Sequence, residues 1–244
     1  MKNILRISLV IVSIICFYAC ELDNYEGPNA QISGRILDHN GNLLRTEPGA
    51  SNMRIEMYEL SWANGDSSVA VTPNYLNVKI DGTYNNSKVF AGTYKIRPVE
   101  GAFYPYKDGG DTIVINGKTV KDFIVTPYLN VDWVEEPHFN PADSCIEASF
   151  KFTRNSHPDV FMSDVLDAGL FISSNQYVGN NNYYSDIVSG KTTLNNALEG
   201  ETITVKTARK VKYYNTDVYV RVGACCADTY KKYNYTTIVK VHIP

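Results

Sequence analysis

The residues of this chain best able to act as bases or metal ligands are its four histidines, His39, His138, His157 and His242. None has a second histidine three or four residues away, and the HExxH pattern of a zinc protease is absent. His138 stands close in sequence to Asp143 and Cys145, the residue types of a nucleophilic triad. No nucleophile elbow, phosphate-binding loop or dinucleotide fingerprint supports that reading, so the grouping is taken as coincidence. Asp38-His39-Asn40-Gly41-Asn42 echoes the opening of a calcium loop, but no later Glu closes the ligand ring, and the stretch reads as a turn. Two carboxylates for glycoside hydrolysis would have to be brought together in three dimensions, and small β domains leave little room for that cleft. The chain therefore reads as non-catalytic, with no metal and no other cofactor.

Binding chemistry has more support. Saccharides and peptides are held on β scaffolds by aromatic rings that supply contact area and amides that supply direction. One loop combines Trp62, Asn64, Asp66 and Tyr75. A second, SNQYVGNNNYYSD, contains Tyr177, Asn180, Asn181, Asn182, Tyr183 and Tyr184, the Tyr, Asn, Ser and Gly mixture that recognition loops favour. The segment FYPY adds Phe103, Tyr104 and Tyr106. The expected ligand contacts are Trp62, Tyr75, Tyr104, Tyr177, Asn181, Tyr183 and Tyr184. Each also has a plainer reading, because Tyr packs at sandwich edges and Asn-Gly clusters make turns.

The remaining chemistry is a thiol. Lys2 and Arg6 give a positive start to an almost wholly apolar run, Ile4 to Phe17, that is too short for a membrane helix and reads as a secretory leader over residues 1–19. Ala19-Cys20 resembles a lipobox, in which Cys20 receives a diacylglycerol before cleavage. Acyl chains contribute about 0.8 kcal/mol per buried CH₂, so the folded part would need no membrane-binding face of its own. Lys2 and Arg6 leave with the leader, so 21 basic residues face 26 acidic ones in the mature chain, net −5. Without a basic patch, nucleic acid is an unsuitable partner. Beyond the leader and Cys20, the cysteines are Cys145, Cys225 and Cys226. They allow one bridge or three buried thiols, and no CxxC spacing suggests zinc or redox work.

Short runs rich in Val, Ile, Thr and Tyr, split by Gly, Asn and Asp, predict an all-β chain. Residues 20–29 form the tether. Residues 30–127 form the first domain, opening with AQISGRILD, where Gly34 suggests a bulge or a close backbone approach. MRIEMYEL alternates Met53, Ile55 and Met57 against polar neighbours, and TYKIRPV is a further strand. DTIVI and KTVKDFIVTPYL are expected to close the unit as a hairpin around Asn116-Gly117. Residues 128–141, with Trp133 and two prolines, Pro137 and Pro141, read as an extended linker. Residues 142–244 form the second domain, with CIEASFKFTRN, AGLFISSN, ETITVKTA, TDVYVRVGA and YTTIVKVHI as strands of period two.

The first domain's ISGRILDHNGN, DGTY, VFAGTYKIRPV and KTVKDFIVTP resemble the transthyretin-like or carboxypeptidase-regulatory β-sandwich. VYVRVGA is similar to a strand of fibronectin type III and immunoglobulin-like sandwiches, which implies a tyrosine corner at Tyr219. The order from CELDNYEGPNA through AGTYKIRPVEGAF to TPYLNV resembles a Bacteroidetes lipoprotein family filed as domain-of-unknown-function family 3823. In such lipoproteins an acidic run behind the lipidated Cys, here Glu21 and Asp23, implies export to the outer face of the outer membrane. The resemblance implies a non-catalytic surface lipoprotein near SusC-like and SusD-like proteins, binding glycan or another nutrient for uptake. The alternative it leaves is a structural accessory subunit of the transporter assembly that touches no ligand.

Overall fold

The computed structural model describes residues 27–244, apart from residues 50, 51, 67, 186 and 188–190. The leader, Cys20 and the acidic run behind it lie outside the described residues. The chain is all-β, in two sandwich domains.

The first domain contains β1 (Ala30–Leu37), β2 (Arg54–Glu59), β3 (Asn74–Asn77), β4 (Thr83–Val89), β5 (Gly92–Val99), β6 (Asp111–Ile115), β7 (Lys118–Val120) and β8 (Phe123–Ile124). One sheet has the order β4-β1-β7, with β8 also on β1, and the facing sheet has the order β3-β2-β5-β6. The alternation read from MRIEMYEL places Met53, Ile55 and Met57 inward, at 1%, 0% and 5% exposure. Ile32, Tyr84, Ile96 and Phe123 meet them from the other strands. Each such side chain contributes about 1.5–3 kcal/mol through burial.

The expected hairpin around Asn116-Gly117 is not formed. β6 pairs antiparallel with β5, whereas β7 pairs parallel with β1, so the turn carries the chain from one sheet to the other. A tight turn with Gly117 at φ +57° suits a sandwich corner as well as a hairpin, and the free edge of β1 recruits the strand that follows. Gly34 does mark a close approach. A Cβ there would lie 1.8 Å from the carbonyl oxygen of Lys121.

The second domain contains β9 (Leu129–Asn140), β10 (Cys145–Arg154), β11 (Val165–Ser173), β12 (Thr192–Thr193), β13 (Ile203–Lys206), β14 (Thr216–Cys226), β15 (Tyr233–Tyr235) and β16 (Val239–Ile243). The sheet β13-β10-β9 faces the sheet β12-β11-β14-β15, in which β16 also pairs with β14. Ile146, Ala148, Phe150 and Phe152 all point into the core, at 0–1% exposure. The stretch expected to be a linker is mostly β9, a twelve-residue strand paired with β10 from Leu129 to Asn140. Pro137 fits because β9 ends its sheet and because Glu136-Pro137 falls where the register slips, between the Glu147–His138 and Ser149–Glu135 pairs. Tyr219 lies inside β14, opposite Ser173 and Lys240, and so is not at a corner. Cys145, Cys225 and Cys226 are all buried free thiols.

β14 is buried on both faces. Val218, Val220 and Val222 enter the core, and Arg221 and Cys225 face the other way yet are also covered. The cover comes from Phe171, Val178, Tyr233 and Tyr235 of the same domain and, over Arg221, from the first domain as well. Arg221, 0% exposed, donates from Nη2 to the carbonyl of Thr46 at 3.0 Å and stacks 3.6 Å from the Tyr235 ring centroid. Burial pulls its guanidinium down to about 10, against the neighbouring Tyr235 and Glu47. Burial likewise raises the carboxyl of Glu47 above its usual range, although Tyr235, Lys232 and Arg221 pull the other way. Asn234 closes the junction, accepting from Leu129 N at 3.0 Å and donating to the carbonyl of Ala102 at 2.9 Å. Asn234 and Nη2 of Arg221 thus bolt the domains together through partners across the boundary, while Nε and Nη1 of Arg221 are buried with no hydrogen-bond partner.

Candidate functional site

The junction leaves a cleft of about 370 Å³. Its first wall is the turn after β1 together with Leu43, Leu44 and Arg45, and its second is β9. Five consecutive residues of β9, Leu129 to Trp133, line the cleft. Alternate side chains of a strand point to opposite faces, so an unbroken run means that β9 presents its edge. That edge is open because β9 is the last strand of its sheet.

The turn is rigid. Asp38 Oδ1 accepts from the backbone amides of Asn40 and Asn42, both at 2.8 Å, and Oδ2 accepts from Asn42 Nδ2 at 2.9 Å. The aspartate that resembled a calcium ligand therefore spends its oxygens on its own loop. Among the described residues no cluster of three or more His, Cys, Asp or Glu could hold a metal.

Trp133 is half-buried, packs against the second core and donates from Nε1 to the carbonyl of Thr237 at 3.1 Å. Its ring is thereby fixed at the cleft. Asn130 donates to Thr153 Oγ1 at 3.4 Å and to Asn155 Oδ1 at 3.2 Å. Arg45 is half-buried and lowered in pKa by that burial, with the charge of Asp132 acting in the opposite sense. Neither the Arg45 nor the Asp132 side chain has a hydrogen-bond partner among the described residues. The cleft thus offers a held aromatic ring, a free donor on one wall and a free acceptor on the other.

Trp62 and Tyr75 are both exposed, at 67% and 45%. Trp62 sits on a short 3-10 turn, Leu60–Ala63, beyond β2. Tyr75 on β3 covers Arg54, whose guanidinium carbon lies 3.9 Å from the ring centroid, and donates to Glu56 at 3.3 Å. Tyr104 is a correction. It is 2% exposed, donates to the carbonyl of Asn155 at 2.7 Å and packs on Tyr128 and His157, so it joins the domains and has no surface for a ligand. Its neighbours Phe103, Pro105 and Tyr106 instead line a smaller cleft of about 180 Å³ with Tyr128 and Tyr230.

The loop holding Tyr177 to Tyr184 works largely as part of the bolt. Gly179 and Asn182 bond each other's backbones in a tight turn, and Asn182 Nδ2 donates to the carbonyl of Tyr177 at 2.7 Å. Asn181 donates to the carbonyl of Pro48 in the first domain, and Asn180 N donates to Tyr235 Oη at 3.2 Å. Tyr184 is half-buried, its ring tilted against that of Tyr213 with centroids 5.0 Å apart, and packed on the core. Tyr177 and Tyr183 stay exposed, at 53% and 38%, with Tyr183 lying 5.4 Å from Phe171. This loop touches Pro48, ahead of β2, whereas Trp62 follows β2. The two aromatic loops therefore lie at opposite ends of that strand, roughly 20 Å apart at about 3.3 Å per residue. Trp133 escaped notice as a contact because its surroundings read as a connector.

A family model for the N-terminal domain of a protein of unknown function, DUF3823, matches residues 30–126, and a model for its C-terminal domain matches residues 133–240. The chain belongs to the DUF3823 family. Its structure is similar to that of a DUF3823 family protein from Bacteroides uniformis, with TM-score 0.75 and 25% identity, covering 89% of this chain and 100% of that one. A second B. uniformis structure, named as a candidate carbohydrate binding protein, gives TM-score 0.69 and 26% identity over 89% of this chain and 100% of its own. A DUF3823 family protein from Bacteroides ovatus shares the fold, with TM-score 0.68 and 19% identity over 88% of this chain and 100% of that one. No curated protein matches the chain.

Proposed function

We propose that this DUF3823 chain is a non-catalytic, lipid-anchored surface protein that captures carbohydrate in the interdomain cleft for a SusC/SusD-like uptake system. The observation that carries the reading is the cleft itself, where Trp133 is pinned beside the unpartnered Arg45 and Asp132. The name of the B. uniformis relative adds weak support. Cys20, lipidated at the leader boundary, would supply the anchor on the outer membrane. The test is binding of the soluble chain to a polysaccharide panel by affinity electrophoresis and calorimetry. Trp133→Ala should weaken any bound glycan about 10-fold, the scale of one lost aromatic contact. Trp62→Ala, at the far end of the first domain, should leave that affinity unchanged. Absence of binding to any glycan would refute the reading.

The accessory-subunit reading is favoured by a different observation. Val120 on β7 and Ile124 on β8, both strands paired with β1, are exposed at 73% and 56%. Such an apolar group would suit contact with a protein partner. Pull-down of the lipidated protein with the transporter components separates it from glycan capture.

A further inference from the structure

Resting on the carbohydrate reading of the same cleft, we infer that the ligand is a neutral saccharide gripped through two adjacent hydroxyls by Arg45 and Asp132, and that uronic-acid saccharides are rejected. Arg45 stands on the first-domain wall and Asp132 on the second, both line the cleft, and neither is hydrogen-bonded among the described residues. They sense each other's charge, because Asp132 offsets part of the effect of burial on Arg45.

A guanidinium can only donate and an ionised carboxylate can only accept. A ligand that satisfies both must offer lone pairs at one atom and an O–H at another close by. Vicinal hydroxyls do this, since each is donor and acceptor together. A carboxylate ligand could satisfy Arg45 alone. It would meet Asp132 directly and would have the further negative charge of Asp38 on the same cleft. A cationic ligand has the converse fault, since Arg45 repels it. Of the two aromatic rings that line the cleft, Tyr235 is buried and stacked on Arg221, whereas Trp133 is held by Thr237 and can take the apolar face of a sugar without moving. A volume of about 370 Å³ is at the lower end of small-ligand sites, which run from about 300 to 1,000 Å³. A short stretch of saccharide suits that volume better than a folded partner.

The experiment is calorimetry of the soluble chain against matched oligosaccharides, neutral and uronic, at two salt concentrations. Neutral oligosaccharides should bind with an affinity that hardly changes with salt, and their uronic counterparts at least 10-fold more weakly. Asp132→Asn should weaken the neutral ligand about 10-fold and narrow the gap to the uronic one. Arg45→Gln should weaken the neutral ligand by a similar factor. Preference for uronic saccharides in the unaltered protein overturns this inference and leaves carbohydrate capture standing, and it needs no variant to fold. Neutral binding that ignores both substitutions, with the variants melting like the parent, overturns it too. Failure to bind either class overturns the carbohydrate reading and this inference with it.

Discussion

Replacing Gly34 by Ala tests the packing of the first domain at its tightest point. Gly34 pairs with Tyr84 across β1 and β4, and a Cβ on it would stand 1.8 Å from Lys121 O and 2.7 Å from Tyr84 Oη. Neither neighbour is free to retreat. Lys121 N donates to Ser33 O at 2.9 Å, and Lys121 O accepts the hydroxyl of Tyr84, which is 1% exposed. Relief therefore requires β1 and the segment between β7 and β8 to part by well over ~1 Å, at the expense of the Tyr84 bond. An unsatisfied buried hydroxyl and carbonyl cost about 1–3 kcal/mol. Overpacking strain in the displaced strands costs about 1–3 kcal/mol more. Gly34→Ala should therefore destabilise by about 4 kcal/mol, a large part of the 5–15 kcal/mol that hold a typical domain. The assay is urea denaturation, read as a lowered midpoint at unchanged slope. Tyr84→Phe alone should cost about 1–2 kcal/mol, and the double variant less than the sum, because both changes lose the same bond. A Gly34→Ala cost under about 1 kcal/mol would refute the reasoning.

Gly179→Ala places a Cβ 2.6 Å from Nη2 of the fully buried Arg221, so the domain junction should weaken by about 1–3 kcal/mol, and an unaltered calorimetric melt would contradict this. Burial alone would raise the Asp111 carboxyl, but Lys107, Lys121 at 2.6 Å and Tyr106 at 3.0 Å bring it down to about 2. Its folded pKa lies below the unfolded one, so its contribution, about 2 kcal/mol, is present above the ordinary carboxylate range and is lost as pH falls toward 2. Asp111→Asn should accordingly destabilise at pH 7 and hardly at all at pH 2, and denaturation curves with equal losses at both would sink the assignment. Burial pushes the thiols of Cys225 and Cys226 up to about 12, so the native protein at pH 8 should resist iodoacetamide at both while the urea-unfolded chain reacts. Full labelling of the native form by mass spectrometry would disprove it.

The strands were legible wherever one face alone meets a core. Met53 just ahead of β2 with Ile55 and Met57 on it, and Ile146, Ala148, Phe150 and Phe152 on β10, alternate in sequence with polar neighbours, and all are buried. Legibility failed where burial comes from residues far away in the chain. Arg221 sits at a position that period two assigns to water, and it is dried by Tyr235 and Gly179 of its own domain together with Thr46, 175 residues earlier. Asn181 and Tyr104 have the composition of recognition residues, yet each is used by a backbone carbonyl across the domain boundary, Pro48 and Asn155 respectively. Which partner a polar side chain takes is set by the docking of the domains, and local sequence does not encode it. The stretch around Trp133 failed for a different reason. Prolines argue against a central strand but not against a bulged strand at the end of a sheet, which is what β9 is. The same openness at the sheet edge that permits Pro137 turns residues 129–133 toward the cleft, so the feature that hid the site is also part of what forms it.

Because the cleft takes one wall from each domain, its width is set by contacts that no ligand touches. Arg45 follows directly on Leu44, and Thr46 and Glu47, the next residues, are held under Arg221 and Tyr235. Tyr235 belongs both to the stack on Arg221 and to the lining of the cleft. A change that loosens the bolt must therefore move Arg45 relative to Asp132 before it disturbs either domain's core. Coupling of this kind is reciprocal: a ligand that bridges the two walls stabilises the docked arrangement by as much as docking improves its affinity. Gly179→Ala, which adds one methyl group outside the cleft, should then weaken saccharide binding and also shrink the gain in melting temperature at a fixed saccharide concentration, because the undocked form it populates does not bind. If affinity stays at the parental value while the junction is measurably loosened, the two walls are not a single site, and recognition rests on β9 alone.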